Sequence, residues 1–575
     1  MIGRSLLHSA GIGVADTNHQ SYPFIFDAGG GLGDYDMVMP AQPVPHSKRI
    51  RIAIVVHADA VFERWELALI ERIAKHPVID LCALYTVAPA SPEKRNAALF
   101  RAVHAAERRL FAPRTGSTLD DLVRLHPDLP LRPLPATRAE TSDIDIAISH
   151  AFDTDFGQLS ALFAECWRYE FDRIGSAGRE NFGFHPCRDG QPLTLLTVTG
   201  ARMGMAEQVI CHCSTSTKPF GTFNRDYATG LLPSLIEREL VRRHHGQPSP
   251  PAAMPPCQPA FTIGDTLHYV GRSATRMAAR MGEWVLRHAG AEPGNWSMLT
   301  GKGTGLDGSV GELRELQQPR GQFRADPFLF RHGDDTWVFF ETAHHTDRLG
   351  RIEAGRIEGD RVVDIRPIEL GKVHLSYPFI FRHDDQIFMI PETHQRNRVE
   401  VWRCTGFPDR WELHSTALDG LSPADTVLTH WQGKCWLFTN LAAGAFADHC
   451  AELHLFRVDG PDLRQVEPHA LNPVVIGTGA ARNGGRPFVH GGRLIRPAQI
   501  TSHGTYGYGL TFCEITRLSL SHYEEREVRR VEPDGNSQTS GCHHYDQTGE
   551  MFVIDARRRH RSRLLGSGPI AVRAT

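Results

Sequence analysis

The feature that most constrains this chain is a motif that returns about every 50–60 residues through its C-terminal half. Each copy joins an apolar run headed by a polar residue to a second apolar run that ends in one. The clearest copies are Ala325-Asp-Pro-Phe-Leu-Phe330 with Thr336 to Thr342, Ser376-Tyr-Pro-Phe-Ile-Phe381 with Gln386 to Thr393, and Ala424-Asp-Thr-Val-Leu428 with Lys434 to Asn440. Gly485-Arg-Pro-Phe-Val489 with Arg493 to Gln499, and Cys542-His-His-Tyr-Asp546 with Glu550 to Asp555, continue it less closely. That period suits one four-stranded propeller blade per repeat, so five repeats predict five blades over residues 296–565. An array of β-sandwiches is the competing architecture, and it gives no reason for a single repeated motif.

Ahead of residue 296 the periodicity is different. Arg49-Ile-Arg-Ile-Ala-Ile-Val-Val56 reads as a buried strand, and Phe62 to Lys75 then has helical spacing through Trp65, Leu67, Leu69, Ile70 and Ile73. Ile79 to Tyr85 and Ile144 to Ile148 are further strands, and a helix closes the segment near Leu231–Arg243. Strands alternating with helices predict a Rossmann-like parallel α/β domain over 49–245. Residues 246–260 are a Pro-rich spacer. A helix follows over Thr266–His288, with Met277, Met281, Trp284, Val285 and Leu286 read as its packing side. Residues 1–48 read as a flexible leader. They contain Ala28-Gly-Gly-Gly-Leu-Gly33, which is no dinucleotide fingerprint because no strand leads into it and no helix follows. They also contain His19-Gln-Ser-Tyr-Pro-Phe-Ile-Phe26, nearly a copy of His374–Phe381.

Composition narrows the function classes. In 575 residues a net charge of -3 excludes a general nucleic-acid footprint. No apolar run is long enough to span a membrane. The 53 Gly and 37 Pro are spread along the chain, as a turn-rich β region requires. The 11 Cys show only one close pair, Cys211 and Cys213, which reads as reduced thiols rather than a zinc site. With no signal-peptide h-region in the first residues, the expectation is a cytoplasmic protein.

A propeller brings residues from every blade to one mouth. The repeat places Asp326, Ser376 with Tyr377, Asp425, Arg486, and His543 with His544 at the start of first strands. Glu341, Glu392, Asn440, Gln499 and Asp555 are expected at the other end of the hairpins. Carboxylates ringed by Arg, Tyr and His suit sugar recognition, and can stabilise oxocarbenium-like charge or exchange protons. Asp326, Glu392 and Asp425 are the catalytic candidates. Glu341, His374, Tyr377, Arg486, Arg496, Gln499, Tyr506, His543, His544 and Asp555 are the substrate-binding candidates. No metal is assigned: His344 to Asp347 and His543 to Asp546 lack an established ligand spacing, and adjacent histidines on a strand point to opposite faces.

These residues carry a family resemblance. Phe323-Arg-Ala-Asp-Pro-Phe328, Val338-Phe-Phe-Glu341, His374 to Phe379, Ile390-Pro-Glu-Thr393, Phe407-Pro-Asp-Arg-Trp411, Trp436-Leu-Phe-Thr439 and Arg496-Pro-Ala-Gln499 with Tyr506-Gly507 resemble, in order, the N-terminal propeller domain of plant glucosamine inositolphosphorylceramide transferases. The blade pattern is also similar to five-bladed furanosidase-type glycoside hydrolases. Those use an Asp early in the first blade, a later Asp and a Glu acid, and the likeness implies Asp326, Asp425 and Glu392 for these positions. The segment from Cys166-Trp-Arg-Tyr-Glu-Phe171 through Phe182-Gly-Phe184 to Gly190-Gln-Pro-Leu193 resembles a formyltransferase-type domain, but the Asn-x-His element of that family is missing. The glycosyltransferase domain that follows the propeller in the plant proteins has no counterpart in this sequence.

The combined reading is a carbohydrate-active transferase in polysaccharide or glycolipid synthesis. Its partners are a glycan and, as the one cosubstrate implied, a nucleotide-sugar donor. The alternatives are a non-catalytic glycan-binding platform, a furanosidase-like hydrolase, and formyl or acyl transfer to an amino sugar.

Overall fold

The computed structural model describes residues 49–558, apart from short segments at 89–95, 112–116, 152–153, 170, 172–178, 289–294, 307–312, 320, 345–348, 443–445, 447 and 534–538, together with 572–574. The leader, with its Ser-Tyr-Pro-Phe-Ile-Phe copy and its glycine run, lies outside the described residues, as do His345 to Asp347.

The N-terminal half is built on a seven-stranded sheet. Its strands are β1 (Ile50–His57), β2 (Ile79–Val87), β3 (Leu131–Pro133), β4 (Ile146–Ser149), β5 (Cys166–Tyr169), β6 (Leu193–Ala201) and β7 (Gln208–Ser216), in the order β3-β2-β1-β4-β5-β6-β7. The first five are parallel. Ile52 to Val56 are fully buried, as an interior parallel strand requires. The helix Arg64–Lys75 turns Trp65, Leu69, Ile70 and Ile73 inward and starts from a capping box made by Glu63 and Glu66. The last two strands depart from the all-parallel expectation. β6 is antiparallel to both β5 and β7. Only residues 202–207 join β6 to β7, room for a hairpin but not for a crossover helix.

The helix Ile263–His288 forms where expected but presents another face. Thr266, Tyr269 and Ser273 are buried, with Tyr269 Oη accepting the Gly221 N–H at 2.8 Å. Met281, expected to pack, is 49% exposed. The buried side was missed because it is polar.

The C-terminal half is a five-bladed propeller. Blade 1 holds strands Gln322–His332, Asp335–His344, Arg351–Glu358 and Arg361–Ile368. Blade 2 holds Ser376–His383, Gln386–Glu392, Val399–Gly406 and Arg410–Ala417, and blade 3 is built on Pro423–Trp431, Lys434–Leu441 and Glu452–Val458. Blade 4 is built on Phe488–His490, Arg493–Ser502, Thr505–Leu518 and Tyr523–Pro533. Blade 5 closes the ring: Tyr545–Thr548 pairs with Met551–Arg558, which pairs in turn with Trp296–Lys302 from the start of the propeller. Joining both ends of the region in one sheet removes a free edge.

Two features of the repeat explain the motif. Ala325 pairs with Glu341, Ser376 with Glu392, and Ala424 with Asn440. The two polar positions of each repeat therefore sit side by side at the open end of a hairpin, not at opposite ends, because the second strand runs back. The register breaks just after Ala325, Ser376 and Ala424. The next residues, Asp326, Tyr377 and Asp425, have φ of 49°, 47° and 48°. Each of these three blades thus carries a bulge that re-aims one side chain.

The two halves share a core. One apolar cluster contains Leu231, Leu235, Ile236 and Leu240 together with Ala451, Leu471 and Ile476 of the propeller side. Ser234 Oγ donates to Glu452 at 2.6 Å, Thr478 N–H to the Ser214 carbonyl at 2.9 Å, and Gly504 N–H to Ser216 Oγ at 2.9 Å. Among the described residues, no helix is long and apolar enough to cross a membrane.

Candidate functional site

The bulges and hairpin ends bring five carboxylates together at the axis. Asp326 and Glu341 come from blade 1, Glu392 from blade 2, Asp425 from blade 3 and Asp555 from blade 5. All are buried. Glu341 feels the charges of the other four, and burial together with that repulsion pushes its carboxyl well above the usual range. His374 Nε2 lies 3.6 Å away, and burial pushes the pKa of that imidazole down. Gly350 permits this approach, since a Cβ there would come within 2.5 Å of both Glu341 Oε1 and the His374 ring.

Glu392 and Asp425 form a hydrogen-bonded pair. Burial alone would raise Glu392, but His394 (Nδ1 at 2.9 Å) and Arg482 outweigh it and hold the group below its ordinary value. Burial pushes Asp425 up against the pull of Arg482. The pair holds one proton. Arg482 binds Asp425 through Nε at 2.6 Å and Nη2 at 3.3 Å, and reaches Glu392 at 3.5 Å. Gln499 donates to Asp425 at 2.9 Å, and Asn483 Nδ2 donates to the Asp425 carbonyl at 2.8 Å. This ionisation state differs from the proton donor expected at Glu392; burial favours the protonated form of Glu341 and of Asp425 instead.

The other side of the cluster is Asp326, His543, His544 and Asp555. Asp555 accepts backbone N–H groups from His543 (2.9 Å), His544 (3.0 Å) and Asp326 (3.1 Å), latching blade 5 to blade 1. Burial would raise Asp555, but His543 outweighs it and keeps the carboxyl low. Burial pushes Asp326 up to about 6. His543 is stacked on Trp296 at 4.1 Å and meets the edge of Tyr506. His543 Nε2 and His544 Nδ1 lie 3.8 Å and 3.7 Å from the same Asp326 oxygen. The expectation that these histidines face opposite ways therefore fails. Residues 542–544 lie between the strands Thr539–Gly541 and Tyr545–Thr548, where side chains need not alternate.

Four candidates lie apart from the carboxylates or act as supports. Tyr377 is fully buried, its Oη accepting the Gly485 N–H at 2.9 Å. Arg486 pairs with Asp546 at 2.9 Å and covers the Phe328 and Phe379 rings. Arg496 is committed to Glu525 and the Ala480 carbonyl, both at 2.7 Å. His374 accepts the Gly350 N–H at 3.0 Å through Nδ1. Tyr506 and Gln499 do reach the site, Tyr506 with its ring 4.8 Å from the Arg482 guanidinium. Arg482, Asn483, His394 and His449 were missed. Arg482 and Asn483 precede the copy of the motif that begins at Gly485, so a repeat-based search passes over them. His449 donates to or accepts from the Ser422 hydroxyl at 3.1 Å, and its ring lies 6.0 Å from that of His394.

Comparison with known proteins agrees with the C-terminal half. Residues 313–546 match the family described as glucosamine inositolphosphorylceramide transferase 1, N-terminal. The transferase of that name from Oryza sativa subsp. japonica is 34% identical over 211 residues, covering 36% of this chain and 28% of its own length. The one from Arabidopsis thaliana is 32% identical over 251 residues, covering 41% of this chain and 32% of its own. The chain thus spans about a third or less of these relatives. Among solved structures, a family 117 glycoside hydrolase from Zobellia galactanivorans aligns with 46% of this chain and 90% of its own, at 13% identity and a TM-score of 0.30. An exo-beta-1,3-galactanase from Phanerochaete chrysosporium aligns with 46% of this chain and 64% of its own, at 10% identity and a TM-score of 0.28. The C-terminal propeller region is therefore similar to the N-terminal region of the glucosamine inositolphosphorylceramide transferases.

Proposed function

We propose that the chain is a carbohydrate-active transferase of polysaccharide or glycolipid biosynthesis that holds its glycan at the propeller mouth. The observation that carries this reading is the convergence of Asp326, Glu341, Glu392, Asp425 and Asp555 from four blades at one buried point. Carboxyls so placed hydrogen-bond sugar hydroxyls and stabilise positive charge at an anomeric carbon. Neutral Glu341 donates to a hydroxyl, ionised Glu392 faces developing positive charge, and the Glu392–Asp425 pair exchanges one proton with an acceptor hydroxyl. The donor is an activated sugar such as a nucleotide sugar. The name of the matching relatives supports transfer to a glycolipid.

The test is transfer from a nucleotide-sugar panel to glycolipid and polysaccharide acceptors, read by mass spectrometry. Product formation is expected, falling at least about 100-fold in Glu341→Gln, the scale of a lost acid–base group. Absence of both turnover and saturable sugar binding across the panel would sink the proposal. One observation favours a binding platform as the second reading: Glu392 and Asp425 touch each other, closer than the ~5–5.5 Å of a retaining carboxylate pair. The same contact weighs against a furanosidase using these two groups. Sugar binding that survives Glu341→Gln, with no turnover in the wild type, would select the platform.

A further inference from the structure

Charge around the axis is unbalanced. Five buried carboxylates meet there, and among the described residues Arg482 is the guanidinium that touches them. It serves Glu392 and Asp425, on one side. On the other side Asp326 and Asp555 have only imidazoles beside them. Asp326 is 6% exposed, and its Oδ1 has no hydrogen-bond partner. A buried carboxylate oxygen left unpaired is destabilising, the more so when charged, so its persistence needs a reason.

Geometry supplies one. Asp326, His543 and Asp555 bring ligand atoms within 4.8 Å of one another. The His543 ring is fixed by its stack on Trp296 and lies with Nδ1 2.6 Å from Asp555 Oδ2. The Asp555 carboxylate is fixed by three backbone N–H groups. Groups held this rigidly before any ligand arrives are what a metal site requires.

We propose that Asp326, His543 and Asp555 bind one divalent transition-metal cation, of the Mn2+ or Zn2+ class, at the closure of blade 5 on blade 1. Two carboxylates and an imidazole suit these borderline ions better than Ca2+, which prefers an all-oxygen shell. The cation offsets the carboxylate surplus and clamps the first and last blades at the mouth. The proposal shares Asp326 and Asp555 with the sugar reading but does not depend on it, since its test uses no sugar.

The experiment is titration of chelator-treated full-length protein with Mn2+, Zn2+ and Ca2+ by calorimetry. One Mn2+ or Zn2+ per chain is expected, with a raised Tm, and with binding weakened at least about tenfold in His543→Gln. No saturable binding, unchanged binding in His543→Gln, or Ca2+ bound as tightly as Mn2+ and Zn2+ would each overturn the proposal. If His543→Gln fails to fold by circular dichroism, the wild type decides. Its Cu2+ form should show imidazole nitrogen coupling in electron paramagnetic resonance; an oxygen-only spectrum refutes the site.

Discussion

At the scale of residues, the mouth separates two kinds of carboxyl by their surroundings alone. Glu341 is kept neutral by burial and by four neighbouring acids, whereas His394 and Arg482 keep Glu392 ionised. Replacing Glu392 with Gln strands Arg482 and His394 beside a neutral group. Glu392→Gln should therefore lower Tm more than Glu341→Gln, a comparison that differential scanning calorimetry can make at one pH. Titration away from the site is also readable. Burial pushes His469 down to about 4, against about 6.5 when unfolded. Between those values the unfolded chain holds more protons, so His469 makes stability fall as pH drops from about 6.5 to about 4. Asp226 and Asp326, raised to about 6, act in the opposite sense over an overlapping window. Stability of His469→Gln, measured by urea unfolding across this range, should decline less steeply on acidification than that of the wild type.

At the scale of elements, the repeat is a bulge repeat. The first strands of blades 1 to 3 each take a left-handed conformation at one residue, Asp326, Tyr377 and Asp425. Asp tolerates that region better than Tyr. Tyr377 is held there by burial and by the Gly485 N–H. Gly485 itself has φ of 140°, and a Cβ on it would stand 1.8 Å from the Tyr545 carbonyl oxygen. Gly485→Ala must move blade 4 off blade 5. It should cost more than the ~1–3 kcal/mol of ordinary backbone strain, seen as a Tm drop of several degrees or as insoluble protein. The blade count was legible because the period and the strand pattern are local. The hairpin register that sets Glu341 beside Ala325 was not read correctly, because pairing across a turn is not a property of either strand alone. The burial of the helix Ile263–His288 through Thr266, Tyr269 and Ser273 was hidden for the same reason: its partners are far away in sequence.

At the scale of the whole molecule, the α/β half and the propeller behave as one body. Leu231, Leu235 and Ile236 cover Ala451, Leu471 and Ile476 in a single core, and Tyr227 hydrogen-bonds Asp448, two residues before Cys450 at the rim of the site. Cys450 Sγ in turn lies 3.9 Å from Arg482. The α/β half therefore buttresses the mouth. A fragment of residues 295–575 should melt at lower temperature than the full chain and bind more of a hydrophobic dye, since this apolar patch is uncovered. Full-length protein should unfold in one cooperative transition by calorimetry; two separated transitions would show that the shared core does not couple the halves.

The sequence by itself determined the α/β and propeller halves, the five blades and the five acidic residues that meet between them. Periodicity, turn chemistry and a polar residue breaking an apolar strand are all local signals. Only the tertiary structure decided which carboxyls burial pushes up, that Arg482 rather than Arg486 or Arg496 meets the five acids, and that His543 and His544 turn toward one Asp326 oxygen. Those outcomes depend on burial and on Coulomb interactions between blades, and both are set by which strands the closed ring brings into contact.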